Sequence, residues 1–111
     1  MYSRIFTLET LDSEGKLMER FEKEIENNPE YGEVECKKIL IDNPDVRTVS
    51  IMSAEFHSDT GEERFMTNDA GVVLTDGAGE PRRLFKIVMR WDRDLNGQTF
   101  SETERDWPAY A

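Results

Sequence analysis

A chain of 111 residues with a formal charge of −10 has room for one domain with one core. That charge works against direct binding to DNA, RNA or an anionic membrane. Apolar residues make up 37% and aromatics 10%, enough to predict a folded domain rather than a disordered chain.

The opening segment Tyr2–Glu9 is rich in β-formers and reads as a strand. Asp12-Ser13-Glu14-Gly15 supplies cap and turn chemistry. Lys16–Asn27 is expected to be an amphipathic helix: Leu17, Met18, Phe21 and Ile25 share one side of a helical wheel, and Glu19–Lys23 and Arg20–Glu24 are opposite-charge pairs one turn apart. Asn27-Asn28-Pro29 would end it, because proline disfavours helical backbone at the residue before it.

Beyond Pro29 the period reads as two, so Glu33–Ile41 is predicted to be a strand, followed by a turn at Asp42–Asp45. Val46–Phe56 is the next strand, with Val49 and Ile51 on one face and Met52, Ala54 and Phe56 on the other. Short strands at Glu62–Thr67 and Val72–Thr75 are separated by Asn68-Asp69-Ala70-Gly71. Arg82–Trp91 alternates most clearly, with Phe85, Ile87, Met89 and Trp91 on one face. Asn96-Gly97 predicts a two-residue hairpin into Gln98–Glu102. No internal repeat, linker or low-complexity segment stands out, and the tail 104–111 reads as irregular. The predicted fold is α+β: about five to six strands in β-α-β-β-β-β order, forming an antiparallel sheet with one amphipathic helix packed on one face, a single domain over 1–111.

Cys36 is the only cysteine and His57 the only histidine. No disulfide can form within the chain, and a reducing, cytoplasmic setting is expected. Met1–Asp12 lacks the apolar region of a signal peptide. The single cysteine and histidine give little basis for a nucleophile–base pair or for a structural zinc site. Asp59-Thr60-Gly61 spells the aspartic-protease triplet but sits beside Glu62 and Glu63 in a solvated setting, so a turn is expected. Gly77-Ala78-Gly79 opens no helix and is expected to be a hairpin loop rather than a phosphate cradle. Asp92, Asp94 and Asn96 with Gly97 match the first half of a calcium loop, but position 12 is Thr103 instead of glutamate. A hairpin is the expectation there, and no metal or other cofactor is predicted.

What remains is the charge. Residues 42–80 hold nine acidic and two basic side chains, while Arg82, Arg83, Lys86 and Arg90 make the following segment basic. Aspartates in turns have a local reason to be there, since they bond their own backbone. Glu55, Glu62, Glu63 and Glu80 lack that reason. In an up-and-down sheet the turns would collect Asp42, Asp45, Asp69, Asp92 and Asp94 at one end, and Asp59, Glu62, Glu63, Asp76 and Glu80 at the other. Glu55, Asp59, Glu62, Glu63, Asp76 and Glu80 are the candidate partner-binding residues, with Trp107 as an apolar anchor.

The stretch from Asn43 to Thr67, through Val49-Ser50-Ile51-Met52 and Asp59-Thr60-Gly61-Glu62, resembles the middle hairpin of phage uracil-DNA glycosylase inhibitors, which are small acidic α+β DNA mimics. It covers about a quarter of the chain and brings over no site residue. The expected function is a non-enzymatic acidic binding protein. Its most direct form is a stoichiometric inhibitor of a basic nucleic-acid-binding protein, of the phage anti-defence or DNA-mimic type. The alternatives are an immunity protein against a nuclease-type toxin, or a homo-oligomeric assembly module such as a homodimer paired through sheet edges. Neither nucleic acid nor membrane is an expected direct partner.

Overall fold

The computed structural model describes residues 3–55 and 60–108. The chain divides into two compact units, Met1–Ser53 with Ile87–Ala111, and Ala54–Lys86.

The regular elements are β1 (Ser3–Leu11), β2 (Leu17–Glu26), α1 (Pro29–Asp42), β3 (Thr48–Ala54), β4 (Phe85–Arg93) and β5 (Phe100–Arg105), all in the first unit except Ala54 of β3 and Phe85 and Lys86 of β4. The sheet is antiparallel with strand order β2-β1-β3-β4-β5. It carries one helix, so the expected α+β class holds. The position of the helix does not: residues 17–26 are a strand, and the predicted strand 33–41 lies inside α1.

Both reversals have one cause. Asn28-Pro29 marks the start of a helix as readily as the end of one. Asn28 is the N-cap, its side-chain oxygen accepting the Glu30 N–H at 3.0 Å, with Pro29 in the first turn. Proline is favoured there because its missing N–H is one that no helix could use. Gly32, Cys36 and Leu40 then fall four apart and are the buried side of α1. On the other side of Asn28, Phe21, Lys23 and Ile25 also fit a period of two. The tight turn at Asp12–Gly15 lays β2 back on β1 in register, Leu8 opposite Phe21 and Arg4 opposite Ile25. A pattern that suits either period is decided by the available partner.

The core lies between α1 and one face of the sheet. Phe6 and Leu8 from β1, Val49 and Ile51 from β3, Met89 from β4, and Cys36 and Leu40 from α1 have no exposed surface. Three cationic contacts hold the helix down. Lys23 Nζ reaches Glu35 at 2.7 Å, and Lys37 Nζ lies 4.9 Å from the centre of the Trp91 ring. Arg93 of β4 donates to the carbonyls of Val46 (3.0 Å), Asn43 (3.3 Å) and Leu40. The last turn of α1 has no basic residue of its own. Arg93 supplies the positive charge that its unsatisfied carbonyls favour.

The second unit is a column of short hairpins. The predicted strands 62–67 and 72–75 are reduced to single bridges, Phe65 with Arg83, Thr67 with Val73, and Thr75 with Pro81. Backbone hydrogen bonds close into two triangles. In one, Glu55 donates to Leu84 (2.8 Å), Leu84 to Arg64 (2.9 Å), and Arg64 to Glu55 (2.8 Å). In the other, Met66 donates to Arg82 (2.8 Å), Arg82 to Leu74 (3.0 Å), and Leu74 to Met66 (2.8 Å). Among the described residues from 54 to 86, none is buried.

Candidate functional site

The second triangle exposes a repeat that the sequence reading missed. Met66, Leu74 and Arg82 recur every eight positions, and Met66-Thr67-Asn68-Asp69-Ala70-Gly71 matches Leu74-Thr75-Asp76-Gly77-Ala78-Gly79 in both spacing and turn chemistry. The Asn68 side-chain oxygen accepts the N–H groups of Ala70 (2.9 Å) and Val72 (3.0 Å). The Asp76 carboxylate does the same for Ala78 (2.9 Å) and Glu80 (3.1 Å). Each turn ends on a glycine with positive φ, 79° at Gly71 and 81° at Gly79, a conformation that costs little only without a Cβ. The repeat was readable as Thr-(Asn/Asp)-x-Ala-Gly at a period of eight. It is only two copies long: the segment that begins at Arg82 lacks the turn residues.

The same device closes both hairpins of the first unit. Asp12 accepts from Glu14 and Lys16, each at 2.9 Å. Asp94 accepts from the Gln98 N–H at 2.9 Å and the Thr99 hydroxyl at 2.7 Å, and these bonds hold its carboxyl below the usual range. The β4–β5 connection is therefore not a two-residue Asn-Gly hairpin. Gly97 has φ of 72° and among the described residues no non-glycine residue, Asn96 included, has positive φ, whereas a two-residue turn of the Asn-Gly kind requires it at both positions. The calcium-loop reading of 92–97 also gives way: strands flank the segment in place of helices, and Asp92 accepts the Thr48 hydroxyl at 2.7 Å.

The candidate partner-binding residues divide sharply. Glu55 is paired with Arg64 at 3.4 Å and Glu63 with Arg83 at 3.1 Å, so both are partly neutralised. Asp76 is occupied with its own turn. Glu62 and Glu80 are exposed, as is Asp69 at a hairpin tip, and none of these three side chains has an ion pair among the described residues. Asp59 lies outside the described residues, as do Phe56 and His57. Trp107 is used within its own unit. Its ring stacks on Phe6 with centroids 4.8 Å apart, its indole N–H donates to Asn27 Oδ1 at 2.9 Å, and it lies so close over Gly32 that a Cβ there would sit 2.5 Å from the ring.

Among the described residues no three Asp, Glu, His or Cys side chains converge as a metal site would require. Cys36 is buried, and desolvation, reinforced by Glu35, Glu102 and Glu33, pushes its thiol up to about 12. It is protonated and inert at neutral pH. Two shallow clefts open on the first unit. One of about 290 Å³ is lined by Thr10, Met18, Phe21, Ile39 and Val46 among others, and one of about 240 Å³ lies beside Arg47, Arg93 and the Asp94–Gly97 turn. Among the described residues no helix is long and apolar enough to cross a membrane. No known family, curated protein or solved structure matches this chain.

Proposed function

We infer that this protein is a small, non-enzymatic, acidic binding protein whose hairpin column, residues 54–86, docks on a basic surface of another protein. The supporting observation is that the column buries none of its described side chains, while Glu62, Asp69 and Glu80 stand exposed at or beside its turns. A segment held by backbone triangles and capped turns rather than by a core presents nearly all of its side chains to a partner. Arg64 and Arg83 are spent on Glu55 and Glu63, and seven acidic against four basic side chains over 54–86 keep the segment net negative.

The natural target of such a surface is a protein that handles nucleic acid, because its positive groove is built for phosphates. Inhibition would be stoichiometric and competitive: the acidic column occupies the groove and nucleic acid is displaced. Electrostatic steering would speed association and make it sensitive to salt.

The test is capture of a partner from lysate, followed by a nucleic-acid displacement assay on the captured protein. The expected result is a basic partner that releases its nucleic acid as this protein is added, with an affinity that falls steeply with salt. Replacing Glu62, Asp69 and Glu80 together by Gln, Asn and Gln should weaken binding at least tenfold. A captured partner that keeps its nucleic acid, or binding indifferent to both salt and the triple variant, would reject the reading.

A further inference from the structure

β2 is an outer strand of the sheet, ten residues long, and among the described residues no strand pairs with its outer edge. An edge of this length is a template for another strand. We propose that a second copy of this chain occupies it, with β2 pairing antiparallel to its own counterpart about a twofold axis at Phe21 to give one continuous sheet. This goes beyond the reading of the acidic column and is independent of it.

The carbonyl of Leu11 accepts from Arg47 beside β3, so the odd-numbered residues of β1 bond toward β3 and the even-numbered ones toward β2. Leu8 is opposite Phe21 and Phe6 opposite Lys23. Glu19, Phe21 and Lys23 therefore spend their backbone groups on β1, and Arg20, Glu22 and Glu24 direct theirs to the open edge. A second strand can bond only to this even-numbered set, which restricts a symmetric pairing to a few registers.

Charge then selects among them. Centring the axis on Arg20 opposes it to its own copy. Centring on Glu22 opposes two glutamates. Centring on Lys23 opposes two lysines and sets Glu22 against Glu24. Only the axis at Phe21 avoids every like-charge contact across 19–23. There Arg20 meets Glu22 of the second copy and Glu19 meets Lys23 of the second copy, each twice by symmetry, and the two Phe21 rings meet at the centre. Directly opposed side chains have Cβ atoms ~4.5–5.5 Å apart, where opposite charges stabilise and like charges destabilise. Faces agree as well. Glu19, Phe21 and Lys23 lie on the helix side, where Lys23 already bonds Glu35 of α1. Arg20 and Glu22 lie on the other side, with Arg20 opposite Glu9 of its own chain. The same charges that favour this register discourage the others, so the edge accepts one partner geometry.

Two copies at −10 each repel over long range, so the measurement belongs at physiological salt, where charges beyond ~8 Å are largely screened. Light scattering on the full chain should give twice the 12.9 kDa of the monomer. Arg20→Glu turns attraction into repulsion at two places and should raise the dimer dissociation constant about a hundredfold. The double variant Arg20→Glu with Glu22→Arg restores complementarity and should restore the dimer. Glu22→Pro removes an N–H that only the second copy would use and should leave a folded monomer. A wild-type chain that stays monomeric, or a dimer that survives both Arg20→Glu and Glu22→Pro, overturns the proposal.

Discussion

The two units solve the problem of stability differently. The sheet-and-helix unit brings Phe6, Leu8, Val49, Ile51, Met89, Cys36 and Leu40 to zero exposure, while the 54–86 column has no buried residue among those described. One relies on removing apolar surface from water, at ~25 cal/mol per Å². The other relies on ordered backbone bonds whose net value is only ~0.5–1.5 kcal/mol each. The difference teaches where sequence change is tolerated: a region without a core is free to vary its surface, and it is also the region that opens most readily.

The sharpest way to break this comparison is paired truncation. Phe6→Ala should destabilise by about 3–5 kcal/mol in urea unfolding followed by the fluorescence of Trp91 and Trp107. Leu74→Ala, at a half-exposed position in the column, should cost under about 1 kcal/mol. Equal costs would mean that both units share one cooperative core.

Arg93→Ala should come next, at about 2–3 kcal/mol, because the Leu40 and Asn43 carbonyls at the C-terminal end of α1 and the Val46 carbonyl just beyond it lose a charged donor. Arg93→Lys should recover only part of this, as a single ammonium cannot reproduce the fork. Loss of helical signal at temperatures where the sheet persists would locate the defect.

A smaller and more local effect is expected from Gly79→Ala. The left-handed backbone at this position costs a residue with Cβ about 1–2 kcal/mol. Amide exchange should quicken at Met66, Leu74 and Arg82 while the thermal midpoint reported by the tryptophans holds. A global loss of stability would contradict the division into units.

The smallest effects are those of pH. Cys36 has its pKa raised on folding, so its contribution is complete below the unfolded value near 9 and is lost as pH rises toward about 12. Thiol labelling at pH 8 should therefore wait on unfolding of the sheet unit. Asp94 is shifted the other way. Its contribution is present above the ordinary carboxylate range and disappears as pH falls through the lowered value, detectable as an acid limb absent from Asp94→Asn.

Much of the strand content was legible in chain order. Val49 and Ile51 on one face, and Met89 and Trp91 on another strand, are buried as the alternation predicts. The turns at Asp12, Asn68 and Asp76 were recognisable because their chemistry is local, whereas the one at Asp94 was placed but taken for a two-residue Asn96-Gly97 hairpin. The interchange at residues 17–41 was not legible, because Phe21 and Ile25 suit either period and Asn28-Pro29 either starts or stops a helix. Of the candidate site, the exposed Glu62 and Glu80 were identified from composition. The pairing of Glu55 and Glu63 with Arg64 and Arg83 was not, since it depends on which hairpin limbs lie side by side.

By itself the sequence determined the class, the turns and the sign of the surface, since backbone preference, side-chain capping and charge count act over a few residues. Only the tertiary structure decided where the helix lies, which carboxylates are neutralised, that Trp107 closes over Gly32, and that Glu55, Arg64 and Leu84, like Met66, Leu74 and Arg82, close into triangles. Each of these depends on contacts between positions far apart in the chain. Their energies of a few kcal/mol exceed the few tenths per residue by which local propensity distinguishes helix from strand.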